Sequence, residues 1–114
     1  MKTYTEQYEV TTFEQAQLLQ LRGLSVKTSD CYFDKLTGKI TFGTLSGIDL
    51  KGAVQRFIPL WSAGRLIFLM VNYSNRCHSL TIVRGRCNIE YITAVMDGVL
   101  KYDFNFCKVE KDYE

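Results

Sequence analysis

Residues 57–73, FIPLWSAGRLIFLMVNY, form the densest apolar run of the chain and hold its only Pro and only Trp. Burying such a run is the strongest single demand the sequence makes on a fold. The run divides at Ser62-Ala63-Gly64. Ahead of it, Leu50, Ala53, Val54, Phe57 and Ile58 recur at i, i+3, i+4, i+7 and i+8, the spacing of a helix with one buried face. Asp49 can cap that helix, Ile48 and Ala53 occupy the positions of a hydrophobic staple, and Pro59 ends it at Ile58. Beyond Gly64, the continuous LIFLMV is too short to span a membrane and rich in β-favouring residues. It reads as a strand covered on both faces.

The remaining elements follow from turn and cap signals. Tyr4, Tyr8 and Val10 alternate along residues 3–10 as in a first strand. Thr11 and Thr12 each precede Glu14 or Gln15 by three residues, so a capping box is present in two registers ahead of a helix over residues 13–22, with Gly23 as its stop. Residues 31–42, CYFDKLTGKITF, are two short β-rich runs around Gly38 and read as a hairpin. The order strand, helix, hairpin, helix, strand resembles the start of a ferredoxin-like split βαβ unit, a topological likeness that implies no activity. In the last third, Asp97-Gly98 stands between two β-rich arms. A two-residue turn there sets Val95 opposite Leu100, Thr93 opposite Tyr102, Tyr91 opposite Phe104 and Ile89 opposite Phe106, which makes one face apolar throughout. A helix over residues 89–96 stopped by Gly98 competes, and β propensity favours the hairpin. With further turns at Ser74-Asn75-Arg76 and Arg84-Gly85-Arg86, residues 65–109 become a four-stranded antiparallel meander. The expectation is one α+β domain over residues 1–114, mostly antiparallel sheet with two helices. A chain of 114 residues with 46% hydrophobic content can bury a core without disulfides or metal. The opening MKTYTEQYEV lacks an apolar signal-peptide core, which points to a cytoplasmic protein with its four cysteines reduced and no membrane association.

Charge is distributed unevenly. Residues 50–89 contain no Asp or Glu but carry Lys51, Arg56, Arg65, Arg76, Arg84 and Arg86, a formal +6, against −4 for the rest. Arginine's planar fork suits phosphate or carboxylate. If Arg76 and Arg84 end one strand they stand roughly 25 Å apart, too far to share one pocket, so an extended cationic surface is the form the segment can take. Tyr73, Trp61 and Tyr91 are available in the sequence to stack on bases. Signals for catalysis are poor. Cys77 and His78 are adjacent, and neighbours in a strand point to opposite faces; Cys31, Cys87 and Cys107 lack CxxC spacing; Asp30 and Asp34 suit a polar turn. No Gly-rich phosphate loop, HExxH helix or GxSxG elbow occurs, and neither a metal nor a cofactor is expected.

The runs TFEQAQLLQLRGL at 12–24, GKITF at 38–42, residues 50–57 and Trp61-Ser62-Ala63-Gly64 resemble short uncharacterised proteins encoded by phages and prophages. These share an A-x-L-L-x-x-x-G-type helix, a hairpin ending in an aromatic, and a second helix closed by an aromatic and Gly. The likeness covers about the first half of the chain and implies a mobile-element origin and a small accessory role. It supplies no catalytic residues. Two functions are then expected. One is a non-enzymatic binding protein that inhibits or modulates a host or defence protein with an acidic surface, through Arg56, Arg65, Arg76, Arg84, Arg86, Tyr73 and Trp61. The other is binding of nucleic acid or a phosphorylated small molecule by the same segment. A homo-oligomer is compatible with either.

Overall fold

The structure is a computed structural model that describes residues 9–44, 56–75 and 88–113. Over these residues the order is helix α1 (Phe13–Leu21), a 3-10 turn (Val26–Thr28), strands β1 (Cys31–Asp34), β2 (Lys39–Phe42) and β3 (Phe57–Leu60), then helices α2 (Ala63–Tyr73), α3 (Ile89–Tyr102) and α4 (Phe106–Asp112). The class is α+β, as expected. The described residues after β3, however, are helical where a meander was expected.

Local chemistry explains the first half. The Thr12 hydroxyl accepts from the Gln15 amide at 3.2 Å while the Gln15 side chain accepts from the Thr12 amide at 2.9 Å, so of the two capping registers the chain uses the one at Thr12. Helix α1 ends at Gly23, whose φ of 101° a side chain would oppose. Strand β1 lies between β2 and β3, antiparallel to both. The register pairs Cys31 with Phe42 and Leu60, and Phe33 with Ile40 and Ile58, which puts an apolar set on one face. Helix α1 covers that face, with the Phe13 ring 5.0 Å from Phe33.

Three expectations are corrected. Phe57 and Ile58 belong to β3, not to a helix, and Pro59 sits in the strand opposite Tyr32. Its missing N–H is tolerated there because β3 is an outer strand among the described residues. Residues 49–55 of the expected helix and 3–8 of the expected first strand lie outside the described residues, while Val10 makes an isolated bridge to Ser62.

The LIFLMV run is not a strand but the body of α2. Ser62 caps it by accepting from the Arg65 amide at 3.1 Å, and Leu66, Leu69, Met70 and Tyr73 are all buried at helical spacing.

The Asp97-Gly98 hairpin is likewise absent: α3 runs through both residues, which also excludes a helix stopped at Gly98. Asn88 caps it, accepting from the Tyr91 amide at 2.8 Å. Ile92, Met96, Val99 and Leu100 are buried at i, i+4, i+7 and i+8, a stripe that crosses the glycine without interruption. Burying those four side chains is worth several kcal/mol, at roughly 1.5 to 3 each. A helical Gly costs only about 1 kcal/mol, so the helix wins. Helix α4, capped by Asn105, replaces the last arm, and helices following β3 stand where a split βαβ unit would need strands.

A sign separates the two folds of this segment. A Cβ added at Gly98 meets nothing within 4 Å and Gly98 is not among the positive-φ glycines, so Gly98→Ala is expected to stabilise by about 0.5 to 1 kcal/mol. In a type I′ turn the same change would destabilise. Urea unfolding midpoints of the two proteins decide between them.

The core is continuous across the halves. Leu19, Leu60, Trp61, Leu66, Leu69 and Met96 are fully buried, and Ile92 is nearly so. Residues 9–11 pair with 61–63 through Thr11 N to the Trp61 carbonyl and Ala63 N to the Glu9 carbonyl, both at 2.9 Å. The exit from α2 pairs with the entry to α4 through Asn75 N to the Asp103 carbonyl at 2.8 Å and Asn105 N to the Tyr73 carbonyl at 2.7 Å. No helix among the described residues is long and apolar enough to cross a membrane.

Candidate functional site

The expected cationic surface does not assemble from the arginines that the structure describes. Arg56 is committed to Asp34, with Nε on Oδ1 and Nη2 on Oδ2, each at 3.1 Å, and its guanidinium lies 4.8 Å from the centre of the Phe57 ring. That two-point bond, reinforced by the Leu36 amide, holds the Asp34 carboxyl below its ordinary range. Arg65 points inward. Its Nε donates to the Thr28 carbonyl at 2.8 Å, its Nη2 lies 2.5 Å from the Tyr113 hydroxyl, and its plane packs near the rings of Phe68 and Tyr113. Arg76, Arg84, Arg86 and Lys51 lie outside the described residues, as do Cys77, His78 and Cys87.

Two expected aromatic anchors are core residues. Trp61 is fully buried, with its indole N–H donating to the Thr28 hydroxyl at 3.0 Å, and Tyr73 is 5% exposed, with its hydroxyl donating to Asp112 at 2.9 Å. Burial, aided by Asp112, pushes the Tyr73 hydroxyl up to about 12. Neither ring can stack on a base or a partner. The physical reason is size: the largest apolar side chains remove the most surface from water and claim the centre of a small core.

The carboxylates are also engaged in the fold. Asp30 accepts from the Ser62 amide at 2.9 Å and from the Ser62 hydroxyl at 2.5 Å, which anchors the start of α2 to the strand entry. Asp97 accepts from Arg22 at 2.7 Å and from Lys101 at 3.3 Å, and the Arg22 bond holds its carboxyl below the usual carboxylate range. Because Asp34 and Asp97 both ionise more readily in the folded chain, the stability they add is present above the unfolded value of about 3.9 and lost as pH falls through their lower folded values. Urea midpoints should therefore be flat between about pH 5 and about pH 8 and fall below about pH 4, with a second decline at alkaline pH because the Cys31 thiol and the Tyr73 hydroxyl are both raised in the folded chain. Asp34→Asn should flatten part of that acid limb. Burial pushes the Cys31 thiol well above its ordinary range, so it is a core side chain and not a nucleophile. Among the described residues no group of three or more His, Cys, Asp or Glu could hold a metal ion.

Among the described residues, two features are open to a ligand or partner. The first is a set of exposed apolar and aromatic side chains on α2 and α3. Helix α2 is apolar almost all round, and Phe68 and Val71, one turn apart, are 44% and 67% exposed. On α3, Tyr91 and Tyr102 share a face, 45% and 85% exposed, with the half-buried Val95 and Gly98 between them. The second is a groove of about 400 Å³ between the turn after α1 and helix α4, lined by Gly23, Ser25, Lys27, Phe104, Phe106, Val109, Glu110 and Tyr113. None of its residues stands out in the sequence as a site. The available signal was the aromatic cluster Phe104, Phe106 and Tyr113 close to the end of the chain. Reading Phe104 and Phe106 as one arm of a hairpin obscured it.

Comparison of the chain with models of protein families, with curated proteins and with solved structures found no match.

Proposed function

We infer that the chain is a small non-enzymatic binding protein that attaches to a partner protein through apolar and aromatic side chains on the outer faces of α2 and α3. One observation carries this reading: α2 is apolar on both sides, yet Phe68 and Val71 face outward. A helix with that pattern is normally covered on both sides. Tyr91 and Tyr102 add a residue type enriched at interface anchor points. The acids and arginines described above serve as caps, ion pairs and braces, which leaves them little scope for turnover chemistry. The resemblance of the first half to phage and prophage proteins makes a host or defence protein the partner in this proposal, with inhibition or modulation as the outcome. Arg56 and Arg65 are assigned to the fold and not to the interface.

The test is affinity capture from host lysate with the tagged chain, repeated with Phe68→Ser and Val71→Ser. A partner held by the parent and lost by both folded variants is the expected result. Equal capture by all three sinks the reading.

A further inference from the structure

We propose that the groove between the turn after α1 and helix α4 is a binding site for a free aromatic α-amino acid. None of its lining residues belongs to the outer faces of α2 and α3, so the inference stands apart from the protein-partner reading. A volume of about 400 Å³ lies near the lower end of ligand pockets, which run from roughly 300 to 1,000 Å³. That space takes one ring system with a short polar head.

The walls are already in place without ligand. On one side, the 3-10 turn is tied down by the Thr28 hydroxyl, which donates to the Ser25 carbonyl at 2.6 Å and accepts from the buried Trp61 indole. On the other, α4 is held by Tyr73 on Asp112 and by the Tyr113 hydroxyl. Arg65 joins the two walls from behind, reaching the Thr28 carbonyl with Nε and Tyr113 with Nη2. The two walls are thus joined by one planar guanidinium group. Groove residues need little reordering on binding, which removes a cost that flexible sites carry.

The lining selects the ligand. Phe104 and Val109 are buried and form the floor, and Phe106 stands edge-on to Phe104, 4.9 Å between centroids and 72° between planes. Together with Tyr113 they present ring faces and edges, to which a further ring docks in offset or edge-on contact. At Gly23 an added Cβ would come within 3.2 Å of the Phe106 ring, so the glycine lets the turn approach that ring closely. Two exposed residues of opposite sign, Lys27 and Glu110, line the groove. A zwitterion matches both, its carboxylate toward Lys27 and its ammonium toward Glu110. A phosphate ligand would meet repulsion from Glu110, and a purely apolar ligand would leave both charges unused.

The intact, isotope-labelled chain titrated with L-tryptophan and followed by amide NMR tests the assignment. Indole serves as the ring without the head, and N-acetyl-L-tryptophanamide as the same ring within an uncharged, peptide-like frame. Saturable shifts confined to residues 23–28 and 104–113 are expected with L-tryptophan, with both controls at least about fivefold weaker. Lys27→Gln and Glu110→Gln, both at exposed positions and expected to fold, should each weaken binding by about twofold to fivefold, the range of exposed charge pairs. The absence of saturable shifts overturns the proposal. So does unchanged affinity in both charge variants. Equal binding of N-acetyl-L-tryptophanamide also overturns it and reassigns the groove to a peptide segment of a partner.

Discussion

Trp61→Ala is expected to abolish cooperative unfolding, leaving a chain without a resolved thermal transition. Trp61 is the largest of the fully buried side chains, and its backbone and ring both serve as connections. Its amide donates to the Thr11 hydroxyl at 3.1 Å, its carbonyl accepts from the Thr11 amide, and its indole reaches Thr28. Truncating such a residue costs about 3 to 5 kcal/mol from lost transfer energy and the cavity left behind. The Thr28 hydroxyl also loses its donor in a fully buried site. A domain of this size holds only about 5 to 15 kcal/mol in total, so the loss takes most of a modest reserve. Trp61→Phe keeps most of the volume and removes the N–H. It should cost about 1 to 3 kcal/mol and retain a transition, which separates the packing from the hydrogen bond.

Arg65→Ala is expected to destabilise by about 2 kcal/mol, lowering the melting temperature by several degrees. The guanidinium satisfies the Thr28 carbonyl and the Tyr113 hydroxyl, and it packs on two aromatic rings. Charge-assisted hydrogen bonds of this kind contribute about 1.5 to 3 kcal/mol, and cation–π contacts at partly exposed sites add about 0.5 to 1. An arginine held out for an anionic ligand would behave oppositely, because its removal would leave stability unchanged or improved. Differential scanning calorimetry of parent and variant distinguishes the two roles. Arg65→Lys should recover little, since an ammonium cannot reach both oxygens at once.

The parts of the fold that could be read directly are those governed by short-range chemistry. The Thr12–Gln15 box, the Gly23 stop and the hairpin around Gly38 depend on residues within a few positions of one another, and each appears where it was expected. The second half turned on competition between local preference and distant packing. In residues 66–71, an apolar run without polar interruption fits a buried strand and a buried helix equally, and periodicity cannot choose between them. The deciding signal was Ser62, a strong N-cap immediately ahead of the run, whose hydroxyl receives the Arg65 amide. Around Gly98, β-branched and aromatic residues suggested strands, yet Ile92, Met96, Val99 and Leu100 already stood at helical spacing. Tertiary burial of that stripe outweighed residue preference.

Of the candidate site, little was legible. Formal charge along a sequence says nothing of where each side chain finds its counterpart, and Asp34, 22 positions from Arg56, neutralises it across the sheet. Trp61 and Tyr73 are versatile residues whose role depends on burial, and burial placed both in the core. The groove joins residues 23–27 to residues 104–113, far apart in the sequence, and Arg65 links Thr28 to Tyr113 beside it.

The central claim is that the contact surface works through outward apolar side chains and not through arginine charge. Its most direct test is the affinity for the captured partner measured between 50 and 200 mM salt, for the parent chain and for Phe68→Ser. Binding that changes less than about threefold with salt and falls roughly 30-fold in the variant, the loss expected of an interface anchor, is the predicted result. Affinity that collapses by about a thousandfold or more over the same salt range, as counterion release from phosphates would produce, while surviving Phe68→Ser, would contradict it.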